Sequence, residues 1–137
     1  LYTYTENVKD TDVDEFITLF SEAGEWDNIA ENLIDAASAL SGCGPAFVYM
    51  FIESLADGAV KCGLPRDKAL KYAAQTIKGS AMMVQKSGKH PELLKDEVCS
   101  PGGTTIAGVA ALENGKFRAN CINAVDEAYK KTLSLGK

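Results

Sequence analysis

The residues best suited to chemistry lie in one stretch, Asp96-Glu97-Val98-Cys99-Ser100-Pro101-Gly102-Gly103-Thr104-Thr105-Ile106-Ala107-Gly108. Pro101 ends whatever precedes it, because its ring disfavours a helical residue before it. Gly102 and Gly103 admit backbone angles that other residues avoid. Thr104 then offers a hydroxyl at a candidate helix N-cap. The apolar spacing Ile106, Val109, Ala110, Leu112 predicts a helix, with Gly115 as its stop. A small, bare loop thus feeds a helix N-terminus, where unpaired N–H groups and a partial positive charge suit a carboxylate or phosphate. Position 107 is Ala rather than Glu or Gln, so no capping box occupies those amides. The same residues also describe a Gly-rich turn with an ordinary Thr cap.

Other chemistries lack their residues. Gly42-Cys43-Gly44 starts like a dinucleotide fingerprint, but it lies between two helical stretches and has no third glycine at the required place. There is no P-loop and no G-x-S-x-G. Cysteines at 43, 62, 99 and 121 form no C-x-x-C pair, and His90 is the one histidine, so no metal site is expected. The cysteines read as small buried hydrophobes in a reducing compartment, and His90 as an exposed loop residue beside a helix start. A net charge of -5 with no basic run argues against a nucleic-acid partner. No continuous apolar run approaches the roughly 18 residues of a membrane helix, and no signal peptide is visible. A first residue of Leu rather than Met gives the expectation that upstream sequence has been removed.

The elements that must position the loop are mostly helical. Residues 1–9 have strand-like composition, and Asp10 or Thr11 can cap a helix carrying Val13, Phe16, Ile17, Leu19 and Phe20, ended by Gly24. Residues 25–30 supply a second short strand, giving a strand–helix–strand unit that cannot close a sheet alone and reads as the tail of a larger α/β domain or as a poorly supported appendage. From Asn32 onward the pattern is helical. Pro45 opens a helix to about residue 62 that is apolar nearly all round, with Glu53, Asp57 and Lys61 as its one charged stripe. A helix of that kind must be buried nearly all round, and a helical domain of roughly 105 residues has too little of its own surface to do so. A partner subunit is expected to supply it. Pro65 opens a long helix to about residue 86, residues 91–94 make a turn or two, and a last helix runs over about 116–134.

Several separated motifs then carry a resemblance. Leu40-Ser41-Gly42-Cys43-Gly44-Pro45-Ala46-Phe47, Leu55-Ala56-Asp57-Gly58, Gly63-Leu64-Pro65-Arg66, His90-Pro91, residues 94–108, Phe117-Arg118-Ala119 and Ala124-Val125 occur in the order found in Δ1-pyrroline-5-carboxylate reductases. The likeness covers about residues 31–135. It implies the last step of proline biosynthesis, an oxidoreductase reaction in which NADPH or NADH gives a hydride to the C=N carbon of pyrroline-5-carboxylate. It implies a mainly α fold: an all-α dimerisation domain of the 6-phosphogluconate dehydrogenase C-terminal type over 32–137. Residues 1–31 would be the remnant of a Rossmann-type nucleotide-binding domain.

The resemblance further implies substrate contacts at Val98, Ser100, Gly102, Gly103, Thr104 and Thr105, with Thr105 hydrogen-bonding the substrate's ring nitrogen as the catalytic residue. Cys43 departs from the Ser usual in the family, which removes a hydroxyl there. The expected partners are a second copy, a ring of dimers and a small-molecule substrate, without nucleic acid or membrane, in the cytoplasm. The main cofactor site is missing from these residues, so no cofactor and no activity are expected for the chain alone. The alternative is a helical dimerisation module without chemistry. Two adjacent threonines after bare glycines favour the enzyme, since a mere dimeriser has no use for them.

Overall fold

The structure, a computed structural model, describes residues 1–136. Among the described residues seven α-helices follow one another: α1 (Asp10–Leu19), α2 (Ile34–Ser41), α3 (Gly44–Lys61), α4 (Arg66–Ser87), α5 (Pro91–Glu97), α6 (Thr104–Asn114) and α7 (Phe117–Leu135). Short 3-10 turns at Ser21–Ala23 and Glu31–Leu33 follow α1 and precede α2. The chain divides into two compact units, Leu1–Gly44 with Val125–Lys137, and Pro45–Ala124.

In the first unit, two extended segments flank α1 and meet in a single parallel bridge, Tyr2 to Asn28. Tyr2 N–H donates to Asp27 O at 3.0 Å, and Ile29 N–H donates to Tyr2 O at 3.1 Å. The expected strand–helix–strand is therefore present as one bridge rather than two full strands. An isolated two-stranded pair is marginal in water. Aromatic packing holds it: Trp26 stands edge-on to Phe16 at 5.0 Å and donates its indole N–H to Phe20 O at 2.9 Å. The N-cap of α1 is Lys9, not Asp10 or Thr11. Asp10 and Asp12 instead fall in the first turn, where negative charge complements the helix dipole.

In the second unit, α3 and α4 meet through alanine. Ala56, Ala69 and Ala73 are buried, with Ile52, Ala59, Val60 and Leu64 against them. Pro65, expected as the first helical residue of α4, is its N-cap, and Gly88, in the left-handed region at φ 64°, ends it. Among the described residues every buried side chain is an alanine. Such a core removes little apolar area from water.

Large apolar side chains lie open instead. Tyr49 and Met50 on α3 are each 68% exposed, and Ile122 on α7 is 69% exposed. The cysteines follow suit: Cys43, Cys62 and Cys121 are exposed and Cys99 half-buried, all as free thiols. The expectation of buried cysteines fails: Cys43, Cys62 and Cys99 lie in the connections between helices, and Cys121 lies on a face of α7 left uncovered in a single copy.

Glu31–Lys61 is long and apolar enough, by length and composition only, to cross a membrane. No continuous apolar run marks it in the sequence, because Ser41-Gly42-Cys43-Gly44 breaks the run while the mean hydropathy stays high. A helix covered on all sides by protein has the same composition.

Candidate functional site

Residues 98–103 join α5 to α6. Val98 is the C-cap of α5, 64% exposed. Cys99 N–H closes back onto Asp96 O at 3.0 Å. Ser100 then starts a turn whose carbonyl accepts the Gly103 N–H at 3.0 Å. Gly102 takes φ 67°, the left-handed region that favours glycine.

Gly103, not Thr104, is the N-cap of α6, and no side chain caps the helix. The Ser100 turn dictates this. It holds Gly103 in extended geometry, φ -78° and ψ 171°, with its carbonyl already accepting from Ala107 N–H at 3.4 Å. Thr104 is thereby pushed into the first turn, where its hydroxyl cannot act as a cap. Among the described residues the N–H groups of Thr104, Thr105 and Ile106 meet no acceptor. Three exposed amides at a positive helix end suit a carboxylate.

The two hydroxyls are free for the same reason. Thr76 and Thr132 bond back to carbonyls four residues earlier. A threonine in a helix's first turn has no helical carbonyl behind it. The expected site residues are neighbours in the structure: Val98, Ser100, Gly102 and Gly103 lie in the connection, and Thr104 and Thr105 in the first turn of α6. Cys43 belongs to the other unit and is exposed beside the α2–α3 break, where Gly42 N–H closes onto Ser38 O at 2.8 Å.

A family model described as pyrroline-5-carboxylate reductase dimerisation matches residues 31–135. The chain belongs to the pyrroline-5-carboxylate reductase family. It is 53% identical over 119 residues to the pyrroline-5-carboxylate reductase of Arabidopsis thaliana, covering 87% of this chain and 43% of that protein. Against the Escherichia coli K12 reductase it is 48% identical over 126 residues, 92% of this chain and 47% of that protein. Among solved structures, Plasmodium falciparum pyrroline carboxylate reductase with NADP bound superposes with a TM-score of 0.89 at 44% identity. That match covers 97% of this chain and 54% of the other. The chain thus spans about half the length of the reductases it matches. The matched segment is described as a dimerisation domain, which agrees with the uncovered apolar helices.

The residues present do not fit a dinucleotide. Gly42-Cys43-Gly44 is the break between α2 and α3 rather than a strand-to-helix phosphate turn, and the N-terminal unit offers one bridge where a sheet is needed.

One group of residues escaped the sequence reading. Glu92 of α5 receives Arg118 Nη2 at 2.9 and 3.1 Å and Lys95 Nζ at 3.1 Å. Arg118 Nε also donates to Glu113 of α6 at 2.5 Å. The Arg118 guanidinium, then the Lys95 ammonium, hold the Glu92 carboxyl below its ordinary value. Glu92 and Lys95 stand at i, i+3 on α5, and Arg118 entered the sequence reading only within the Phe117-Arg118-Ala119 motif. Their meeting across 26 residues was not visible there.

Proposed function

We propose that this chain is the C-terminal, dimerising and substrate-holding part of a pyrroline-5-carboxylate reductase, the oxidoreductase that makes L-proline from 1-pyrroline-5-carboxylate. Residues 1–31 form the tail of the nucleotide-binding domain, and 32–137 form the helical domain. The hydride donor, NADPH or NADH, is held by residues outside this chain, which alone is inactive. The protein works in the cytoplasm as a dimer or a ring of dimers, without nucleic acid or membrane contact.

The observation that carries this reading is the set of three unpaired amides, Thr104 to Ile106, beside two unengaged threonine hydroxyls. The substrate offers a carboxylate and a ring nitrogen. The amides and the Ser100 hydroxyl take the carboxylate, and they are fixed before it arrives, so little reorganisation is needed. Thr105 Oγ1 meets the ring nitrogen and steadies it as it grows more basic. Val98, Gly102 and Gly103 shape the turn around the substrate.

Thr105→Ala in the full-length protein tests this. A hydrogen bond to a charged group contributes about 1.5–3 kcal/mol, which is roughly ten- to a hundredfold in kcat/KM. Thermal stability should stay within about 1 kcal/mol, because the Thr105 hydroxyl caps nothing. Wild-type kinetics in the variant would remove Thr105 from the site. A full-length protein that reduces no pyrroline-5-carboxylate would leave the helical dimeriser without chemistry.

A further inference from the structure

We propose that Arg118 is a positioning residue for the substrate loop: its guanidinium ties together the two helices that carry the loop, at the ends remote from it. The proposal rests on the reading of residues 98–105 as the substrate loop. Glu92 lies in the first turn of α5 and Glu113 in the last turn of α6, while the loop joins the other two ends of those helices. Arg118 reaches both, with two contacts to Glu92 and one to Glu113. The result is a closed ring of α5, loop, α6 and guanidinium. If the guanidinium lets go, the helices can splay and the Thr104 and Thr105 groups shift with them.

Three further features point the same way. α5 has seven residues, far fewer than the roughly 12–15 an isolated helix needs to hold itself. Its placement must come from its surroundings. His90 Nδ1 accepts the Glu92 N–H at 3.2 Å, and Lys89 Nζ bridges to Glu97 at 2.5 Å, so both ends of α5 are fastened locally. Arg118 adds a fastening that joins α5 to α6 and α7.

The turn that aims Arg118 is also unusual. Gly115-Lys116 separates α6 from α7, and Lys116 has φ 58°, a left-handed conformation uncommon for a non-glycine residue. Asn120 Nδ2 donates to Gly115 O at 3.3 Å, and Lys116 N–H to Glu113 O at 2.9 Å. Such a residue persists where the surroundings over-determine it. The tight reversal brings Arg118, the second residue of α7, back over Glu113.

Stability alone explains the cluster poorly. The Arg118 and Glu92 side chains are 52% and 45% exposed, and ion pairs that open to water add little to folding. A forked guanidinium on two carboxylates gives geometry instead, and a lysine cannot reproduce it.

The test uses the full-length reductase and its steady-state kinetics. Arg118→Ala should raise the KM for pyrroline-5-carboxylate about tenfold, the scale expected when reacting groups are misplaced by a fraction of an ångström. The KM for the nicotinamide should stay within about twofold, and Arg118→Lys should recover only part of the loss. In a Glu92→Gln/Glu113→Gln background, Arg118→Ala should add less than about twofold, because residues acting as one unit are not additive.

An unchanged substrate KM overturns the proposal. So does full additivity, which would put Arg118 on the substrate itself, and so does an equal rise in both KM values with a lowered melting temperature, which would make the role structural. If Arg118→Ala does not fold, Arg118→Gln, which keeps the stem, is read the same way. If the wild-type protein turns over no pyrroline-5-carboxylate, the substrate reading falls and amide exchange decides the clasp. Exchange at Cys99, bonded to Asp96 at the end of α5, and at Gly103, bonded to Ser100 in the loop, should quicken at least about fivefold in the variant. Unchanged exchange overturns the clasp as well.

Discussion

Ser100 lies so close to Gly103 that any side chain there would have to displace the Ser100 hydroxyl. A Cβ on Gly103 would collide with Ser100 Oγ and stand 3.1 Å from Ser100 O. The glycine is therefore needed for close approach, not for its φ of -78°. Gly103→Ala should cost about 1–3 kcal/mol of stability, the usual range for overpacking, and should raise the substrate KM as the turn opens. Adding Ser100→Ala removes the hydroxyl and should restore part of the melting temperature, but not the KM, since the same hydroxyl serves the substrate. Recovery of both by the double variant would mean that Ser100 is only a spacer.

The loop was legible in the sequence because Pro101, Gly102 and Gly103 each act on the backbone locally. The cap was misplaced by one residue because a hydroxyl at Thr104 suits that role by type, whereas the Ser100 turn selects Gly103 by geometry. The helices were legible from period and proline placement, and the burden of apolar surface on α3 from composition alone. The N-terminal strands were legible as a pattern, yet they form a single bridge because so few pairing partners are present. The Glu92–Arg118–Glu113 cluster was not legible, since nothing local joins residues 26 positions apart.

Association can be separated from folding on α3. Phe51 packs against Phe117 with the rings tilted and their centroids 5.2 Å apart, so a charge at Phe51 would disturb the chain's own packing as well as any interface. Met50, by contrast, is 68% exposed in the single copy. Met50→Glu should leave the helical content of the chain intact and weaken the dimer. An uncompensated charge buried at an interface costs about 3 kcal/mol or more, roughly a hundredfold in dissociation constant. Sedimentation of wild type and variant at low micromolar concentration checks this, and equal dimerisation of the two would take Met50 out of the interface.

Acid should loosen the loop before it unfolds the helices. Arg118 and then Lys95 depress the Glu92 pKa below its ordinary value of 4.5. A depressed carboxylate contributes stability that is fully present above its unfolded pKa and lost as pH falls through the folded one. The contribution from Glu92 is thus complete above about pH 4.5 and fades below it. Amide exchange at Gly103, corrected for its intrinsic pH dependence, should rise in that acid window. Glu92→Gln should already show the faster exchange at neutral pH and little further change on acidification. A variant that keeps the full acid response would assign it to another carboxylate.

The Gly115-Lys116 turn gives the last test. Left-handed geometry costs a non-glycine residue about 1–2 kcal/mol, and Lys116 sits there at φ 58°. Glycine removes that cost but loses about 0.5–1 kcal/mol to its greater freedom in the unfolded chain. Lys116→Gly should therefore be neutral or stabilising by up to about 1 kcal/mol, a rise in melting temperature of a few degrees. It should leave the substrate KM alone, because Arg118 stays where the turn puts it. Lys116→Val asks a β-branched residue to hold the same angle. It should lower the melting temperature and, if the turn is what aims Arg118, raise the substrate KM as Arg118→Ala does. A valine variant that melts early yet keeps a wild-type KM would show that Arg118 reaches Glu92 and Glu113 without help from the turn.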